Sequence, residues 1–135
     1  MALERAGRIA EALAEYRRAV DVDPGFAAAH QALGYHYQRR GLLTKASDAF
    51  QTVARLENHH SAHFNLGFIL VELERYEEAL AAFRQCLALM PGDPATLYEI
   101  AYIQYIQGQL TEALATLQGV HEAQEDDWRV LNLEG

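Results

Sequence analysis

The chain has 135 residues, half of them hydrophobic, with only three prolines and a formal net charge of −8. That length suits one compact domain or a short run of repeats, and the composition excludes a disordered segment. Paired basic residues occur only at Arg17–Arg18 and Arg39–Arg40, so no dense phosphate-binding patch forms, which argues against nucleic acid as a partner.

Apolar spacing predicts a first helix over 2–22, with room for an interruption at Gly7. Ile9, Leu13, Tyr16 and Val20 share one face at three- and four-residue intervals. Asp23-Pro24-Gly25 ends it, because proline biases the residue before it away from the helical region. A helix pair follows over 27–40 and 43–56, hinged at Gly41, where glycine supplies the left-handed conformation of a tight αα-turn. The next pair covers 61–73 and 76–89. Here Glu74 stands at the hinge, at a cost of about 1 kcal/mol if its backbone is left-handed.

Met90-Pro91-Gly92-Asp93-Pro94 breaks the chain again, with Asp93 suited to cap a helix and Pro94 to begin one. The third pair is expected over 94–107 and 111–121, hinged at Gly108, with Gln109 or Thr111 near the start of its second helix. The acidic run 122–127 reads as a connector, and 128–133 as the start of a further or capping helix. No apolar run is long enough to span a membrane.

A pattern recurs through these elements: Gly7–Ala12–Tyr16, Gly41–Ala46–Phe50, Glu74–Ala79–Phe83 and Gly108–Ala113–Leu117, at offsets of 34, 33 and 34 residues. Leu33–Gly34, Leu66–Gly67 and Ile100–Ala101 interleave with it. Such a period marks a stacked helical array. Small residues at 34, 67 and 101 let the partner helix approach closely, and the large residues at 16, 50, 83 and 117 plug the space between pairs. Each plug contributes roughly 1.5–3 kcal/mol when buried, and stability comes from stacking because no pair buries its apolar face alone.

These residues resemble the tetratricopeptide repeat, W-x2-L-G-x2-Y followed by A-x3-F and P. The copies run as a half repeat at 1–24, repeats at 25–58, 59–91 and 92–125, and a final segment at 126–135. Leu33-Gly34-x2-Tyr37 with Ala46-x3-Phe50, and Leu66-Gly67 with Ala79-x3-Phe83 and Pro91, carry the likeness. The copy at 92–125 is more divergent, and His30, His63 and Leu97 stand in the tryptophan position. The resemblance implies an all-α, right-handed superhelical α-solenoid whose first helices line a concave groove. Protein segments usually lie in such grooves. Positions matching the family's carboxylate-gripping version hold Asn65, Ala95 and Glu99, so a clamp on a C-terminal carboxylate is not expected.

The groove residues implied by that geometry are Gln31, Tyr35, Gln38 and Arg39, then Phe64, Phe68, Val71 and Glu72, then Tyr98, Tyr102 and Tyr105. Half-exposed aromatics on a concave surface are typical interface anchors, and here they favour an amphipathic helix or extended apolar segment. The alternatives are that they pack on the neighbouring first helices and stiffen the array, or that the chain's own last helix covers them. His59-His60-x2-His63 has no convergent cysteine or carboxylate, so the histidines read as packing residues and no metal or other cofactor is expected. Cys86, the single cysteine, cannot form an intrachain disulfide and occupies the small buried position held elsewhere by Ala19, Val53 and Val120. Glu77–Glu78 and Glu125-Asp126-Asp127 complement helix dipoles and solubility, not acid–base chemistry.

No enzyme is expected; the reading is a protein-binding scaffold. The alternative is a self-assembly module associating through its array ends as a homo-oligomer. Leu3, Ile9 and Leu13 would be apolar at one end, and Trp128, Val130, Leu131 and Leu133 at the other; the chain could also be an excerpt of a longer array. Ten arginines against the single Lys45, with abundant alanine, point to a GC-rich bacterial genome. A lone cysteine and a start unlike a secretory signal lean toward a cytoplasmic setting without fixing the compartment.

Overall fold

The computed structural model describes the backbone of residues 2–134 and the side chains of residues 7–122. Among these, all regular structure is helical: α1 (Ala2–Val22), α2 (Ala27–Arg39), α3 (Leu43–Leu56), α4 (His60–Glu72), α5 (Tyr76–Leu89), α6 (Pro94–Ile106) and α7 (Leu110–Glu134). α2 packs on α3, α4 on α5 and α6 on α7, while α3–α4 and α5–α6 contacts stack these pairs into a solenoid. α1 lies against α2.

The three hinges are built alike. Gly41, Glu74 and Gly108 have φ of 74°, 60° and 79°. In each, the hinge amide donates three residues back (Gln38, Val71, Tyr105 carbonyls) and the next amide donates five back, to Tyr37, Leu70 and Gln104. This is the Schellman closure, which satisfies the last carbonyls of the first helix and turns the chain by about a helix diameter. Glycine adopts the left-handed hinge without steric cost, whereas Glu74 holds it against its own Cβ.

Packing within a pair rests on a ring seated on a glycine. A Cβ at Gly34 would lie 2.8 Å from the Phe50 ring, and one at Gly67 2.6 Å from the Phe83 ring. Both rings are fully buried. Phe50 joins Ala46 and Ile69 in one core cluster, and Phe83 joins Leu70, Ala79, Leu80, Ile100 and Ile103 in the other.

Three expectations need correction. α1 runs through Gly7 without a break, since one helical glycine costs only about 1 kcal/mol relative to alanine. The 122–127 run is not a connector: α7 continues through it to Glu134, because glutamate, alanine and glutamine favour helix and neither glycine nor proline interrupts them. The four plugs are also not equivalent. Phe50 and Phe83 are buried, but Tyr16 and Leu117 remain partly open, because only the inner pairs have neighbours on both sides. The side chains of Leu3, Trp128, Val130, Leu131 and Leu133 lie outside the described residues.

Candidate interaction surface

The residues expected to line a groove lie on α2, α4 and α6, and their three sets are built differently. On α2, Tyr35 and Arg39 are exposed while Gln31 and Gln38 are half-buried. The Tyr35 ring meets Phe50 edge-on with centroids 5.2 Å apart. Its hydroxyl accepts from Asn65 Nδ2 at 2.9 Å and from Gln31 Nε2 at 3.5 Å. The Asn65–Tyr35 bond ties α2 to α4 across thirty residues of sequence, and it commits the one asparagine that a carboxylate clamp would use.

On α4, Phe64, Phe68 and Val71 are half-buried and Glu72 is exposed. Phe64 stacks on Phe68 at 6.5 Å and tilts against Phe83 at 5.8 Å. These rings spend part of their surface on the array itself, as offset aromatic pairs do.

α6 differs. Tyr98, Tyr102 and Tyr105 are 51%, 53% and 65% exposed, at spacings of four and three on one face. They form one wall of an open groove of about 430 Å³, whose other wall is Leu110, Leu114 and Leu117 of α7. Buried Ala101 and Ala113 sit between the walls. Among the described residues, no charged side chain lines this groove. The α7 leucines were missed as surface residues, although their own four-and-three spacing at 110, 114 and 117 marks a second stripe facing the tyrosines. A separate depression of about 450 Å³ between α3 and α5 is rimmed by charged groups including Asp48, Arg55, Arg75 and Glu78. Arg75 and Glu78 neutralise each other there, with Nε–Oε1 and Nη2–Oε2 contacts of 3.0 and 2.6 Å.

The other singled-out residues have structural partners. His63 Nε2 donates to Asn58 Oδ1 at 2.9 Å, and His30 Nε2 donates to the Pro24 carbonyl at 2.8 Å, each closing the loop before its helix. His59 occupies the N-cap of α4, its Nδ1 accepting from the Ser61 amide. Burial lowers the His63 pKa. Cys86 is fully buried, 3.1 Å from Thr96 Oγ1. The Thr96 hydroxyl is already donated to Asp93 Oδ2 at 2.6 Å, so the thiol is the donor to Thr96. Burial pushes the Cys86 thiol pKa up, the reverse of what a nucleophile needs. Glu99, half-buried on α6, likewise has its carboxyl pKa raised by burial, and it stands where a clamp would need a cation.

Tetratricopeptide-repeat family models match residues 5–41, 32–94 and 70–135, and together they run through all of the helix pairs. The chain belongs to the tetratricopeptide-repeat family. Its array is also similar to solved tetratricopeptide structures. YrrB, described as a TPR protein with an unusual peptide-binding site, is 26% identical with a TM-score of 0.76, over 89% of this chain and 62% of that one. MamA of AMB-1 is 24% identical with a TM-score of 0.79, over 90% of this chain and 67% of that one. MamA from Desulfovibrio magneticus RS-1 is 16% identical with a TM-score of 0.78, over 93% and 71%. The array thus spans somewhat less than two thirds of YrrB's length, and the MamA likenesses speak for the fold alone. No curated protein matches the sequence.

Proposed function

We propose that this tetratricopeptide array is a non-catalytic scaffold that holds a partner protein by an amphipathic helix or extended apolar segment laid along its concave first-helix stripe. One observation carries the reading: three tyrosines of α6 stand at least half exposed on a single face, although large aromatics are among the most valuable residues to bury. Tyrosine suits this use, since its ring gives apolar area at low conformational cost and its hydroxyl accepts or donates at the rim. α6 carries no lysine or arginine, which favours an apolar segment over an acidic tail. The likeness to YrrB, a protein described as having a peptide-binding site, supports the same class of role.

The stripe is tested by selecting binders from a displayed peptide library and measuring them against Tyr98→Ala/Tyr102→Ala. The selected peptides should carry apolar residues at helical or alternate spacing. They should lose about ten-fold or more in affinity on the variant, the effect of truncating one to two interface anchors. Equal affinity for both proteins would place binding elsewhere.

A further inference from the structure

Arg17 of α1, Arg39 and Arg40 at the end of α2, and Lys45 of α3 come together at the first hinge. Arg17 Nη2 donates to the Tyr37 hydroxyl at 3.5 Å, and Lys45 Nζ lies 5.8 Å from the centroid of the same ring. The His36 ring meets Tyr37 edge-on at 5.8 Å. Burial lowers the His36 pKa, and the charges of Arg40, Arg17 and Arg39 lower it further, so all three guanidiniums act at this point. Among the described residues the single salt bridge joins Arg75 to Glu78, and none of these four cations has a carboxylate partner. Four of the eleven lysines and arginines thus gather unpaired in a chain of net charge −8, although like charges held close repel. The α2 dipole accounts for Arg39 and Arg40, which stand at its C-terminus. It does not account for Arg17 in the body of α1, nor for Lys45 in the first turn of α3, where a helix dipole favours an anion. Glu78 and Glu112 hold the position of Lys45 in the first turns of α5 and α7. At the second hinge that carboxylate pairs with Arg75, whereas at the first hinge a lysine stands beside two arginines.

We infer that this cluster is a docking surface for a run of side-chain carboxylates in an acidic segment of a partner protein. Charge complementarity selects the class, because arginine grips carboxylates with paired donors and lysine adds a point charge. The cations are spread over three helices and along a tyrosine ring, so they do not converge on one point as a single phosphate group requires. Nor do they extend into the long basic track of a nucleic-acid surface, and a chain this acidic repels a polyanion over the rest of its face. The surface uses none of the carboxylate-clamp positions Asn65, Ala95 and Glu99, and it calls for side-chain carboxylates, not a chain terminus. Only Arg39 is shared with the first-helix stripe, and the α6 tyrosines take no part, so the inference does not depend on a partner in that stripe.

The probe is a dye-labelled, C-terminally amidated hexaglutamate peptide, titrated with the full chain and followed by fluorescence anisotropy, with hexaglutamine as the neutral control. Hexaglutamate should bind, hexaglutamine should not, and the affinity should fall as salt is raised. Lys45→Glu should weaken hexaglutamate about ten-fold or more, the loss expected when a charge-assisted contact is replaced by a like charge. Arg84→Glu makes the same change in net charge at an exposed site on α5 and should have little effect. Tyr98→Ala/Tyr102→Ala should bind hexaglutamate as wild type does, which separates this surface from the stripe. Lys45→Glu also restores the residue type of the other two first turns, so its urea midpoint should hold or rise while binding is lost. A lower midpoint would make Lys45 a structural residue and overturn the proposal. So would failure of hexaglutamate to bind, equal binding of hexaglutamine, or an affinity that Lys45→Glu leaves unchanged. Tighter binding of hexathymidylate than of hexaglutamate would overturn it in favour of nucleic acid.

Discussion

Replacing Gly67 by alanine sets two effects of opposite sign against each other. Alanine is the better helix former by about 1 kcal/mol, so propensity alone predicts a more stable protein. The new Cβ, however, would lie 2.6, 2.8 and 2.9 Å from three Phe83 ring atoms, about 1 Å inside comfortable carbon–carbon contact. The ring has no room to retreat: it is fully buried, with Leu70, Leu80, Ile100 and Ile103 in the same cluster. Overpacking of this kind costs about 1–3 kcal/mol, and contacts this short belong in the upper half of that range. The net expectation is a loss of about 1–2 kcal/mol, read from the urea midpoint at unchanged slope, or a melting temperature lower by about 3–8 °C. Phe83→Leu in the same background should recover part of the loss, because Ala101 facing Leu117 is that combination in the last pair. The double variant should be less destabilised than the sum of the singles by about 1 kcal/mol. Gly119, which has nothing within 4 Å of an added Cβ among the described residues, is the reference: Gly119→Ala should gain about 0.5–1 kcal/mol. A Gly67→Ala protein as stable as wild type would refute the ring-on-glycine account of how the pairs pack.

Two further outcomes follow from the hinges and the loop before α4. Glu74→Gly removes a left-handed side-chain residue at φ 60° and should raise the urea midpoint by an amount worth about 1 kcal/mol; an unchanged midpoint would mean that the hinge stores no strain. Burial lowers the His63 pKa, so its folded value lies below its unfolded value near 6.5. Its contribution is therefore fully present above that unfolded value and is lost as pH falls through the folded one, where the unfolded chain binds the proton first. Urea midpoints measured between about pH 8 and pH 5 should fall toward acid, and His63→Gln should flatten that fall; an identical slope in the variant would assign the pH dependence to other groups.

The helices were largely legible because the punctuation is local. Pro24-Gly25, Gly41, Gly108 and Pro91-Gly92 stop helices by backbone sterics that depend on no distant residue, and Glu74 was readable as a hinge only because the period placed it where glycine stands elsewhere. The close approach at Gly34 and Gly67 was readable for the same reason. The continuity of α7 was not, since glutamate, glutamine and aspartate have the same composition in a solvated helix as in a solvated connector. Nor was the contrast between Leu80 and Leu114: both are leucines at the same repeat position, but Leu80 is buried in a cluster with Ile100 and Ile103 of α6 while Leu114 is exposed. The Asn65–Tyr35 hydrogen bond links residues whose proximity depends on how two pairs stack, which spacing along the chain does not report.

The most direct test of the scaffold role is affinity capture from cells of the source, comparing wild type with Tyr98→Ala/Tyr102→Ala by quantitative mass spectrometry after both are shown to be equally helical. The tyrosine surface predicts at least one protein retained by wild type and depleted about ten-fold or more on the variant, as expected when interface anchors are truncated. Indistinguishable sets of retained proteins would contradict it, and would leave the α6 tyrosines without a role in recognition.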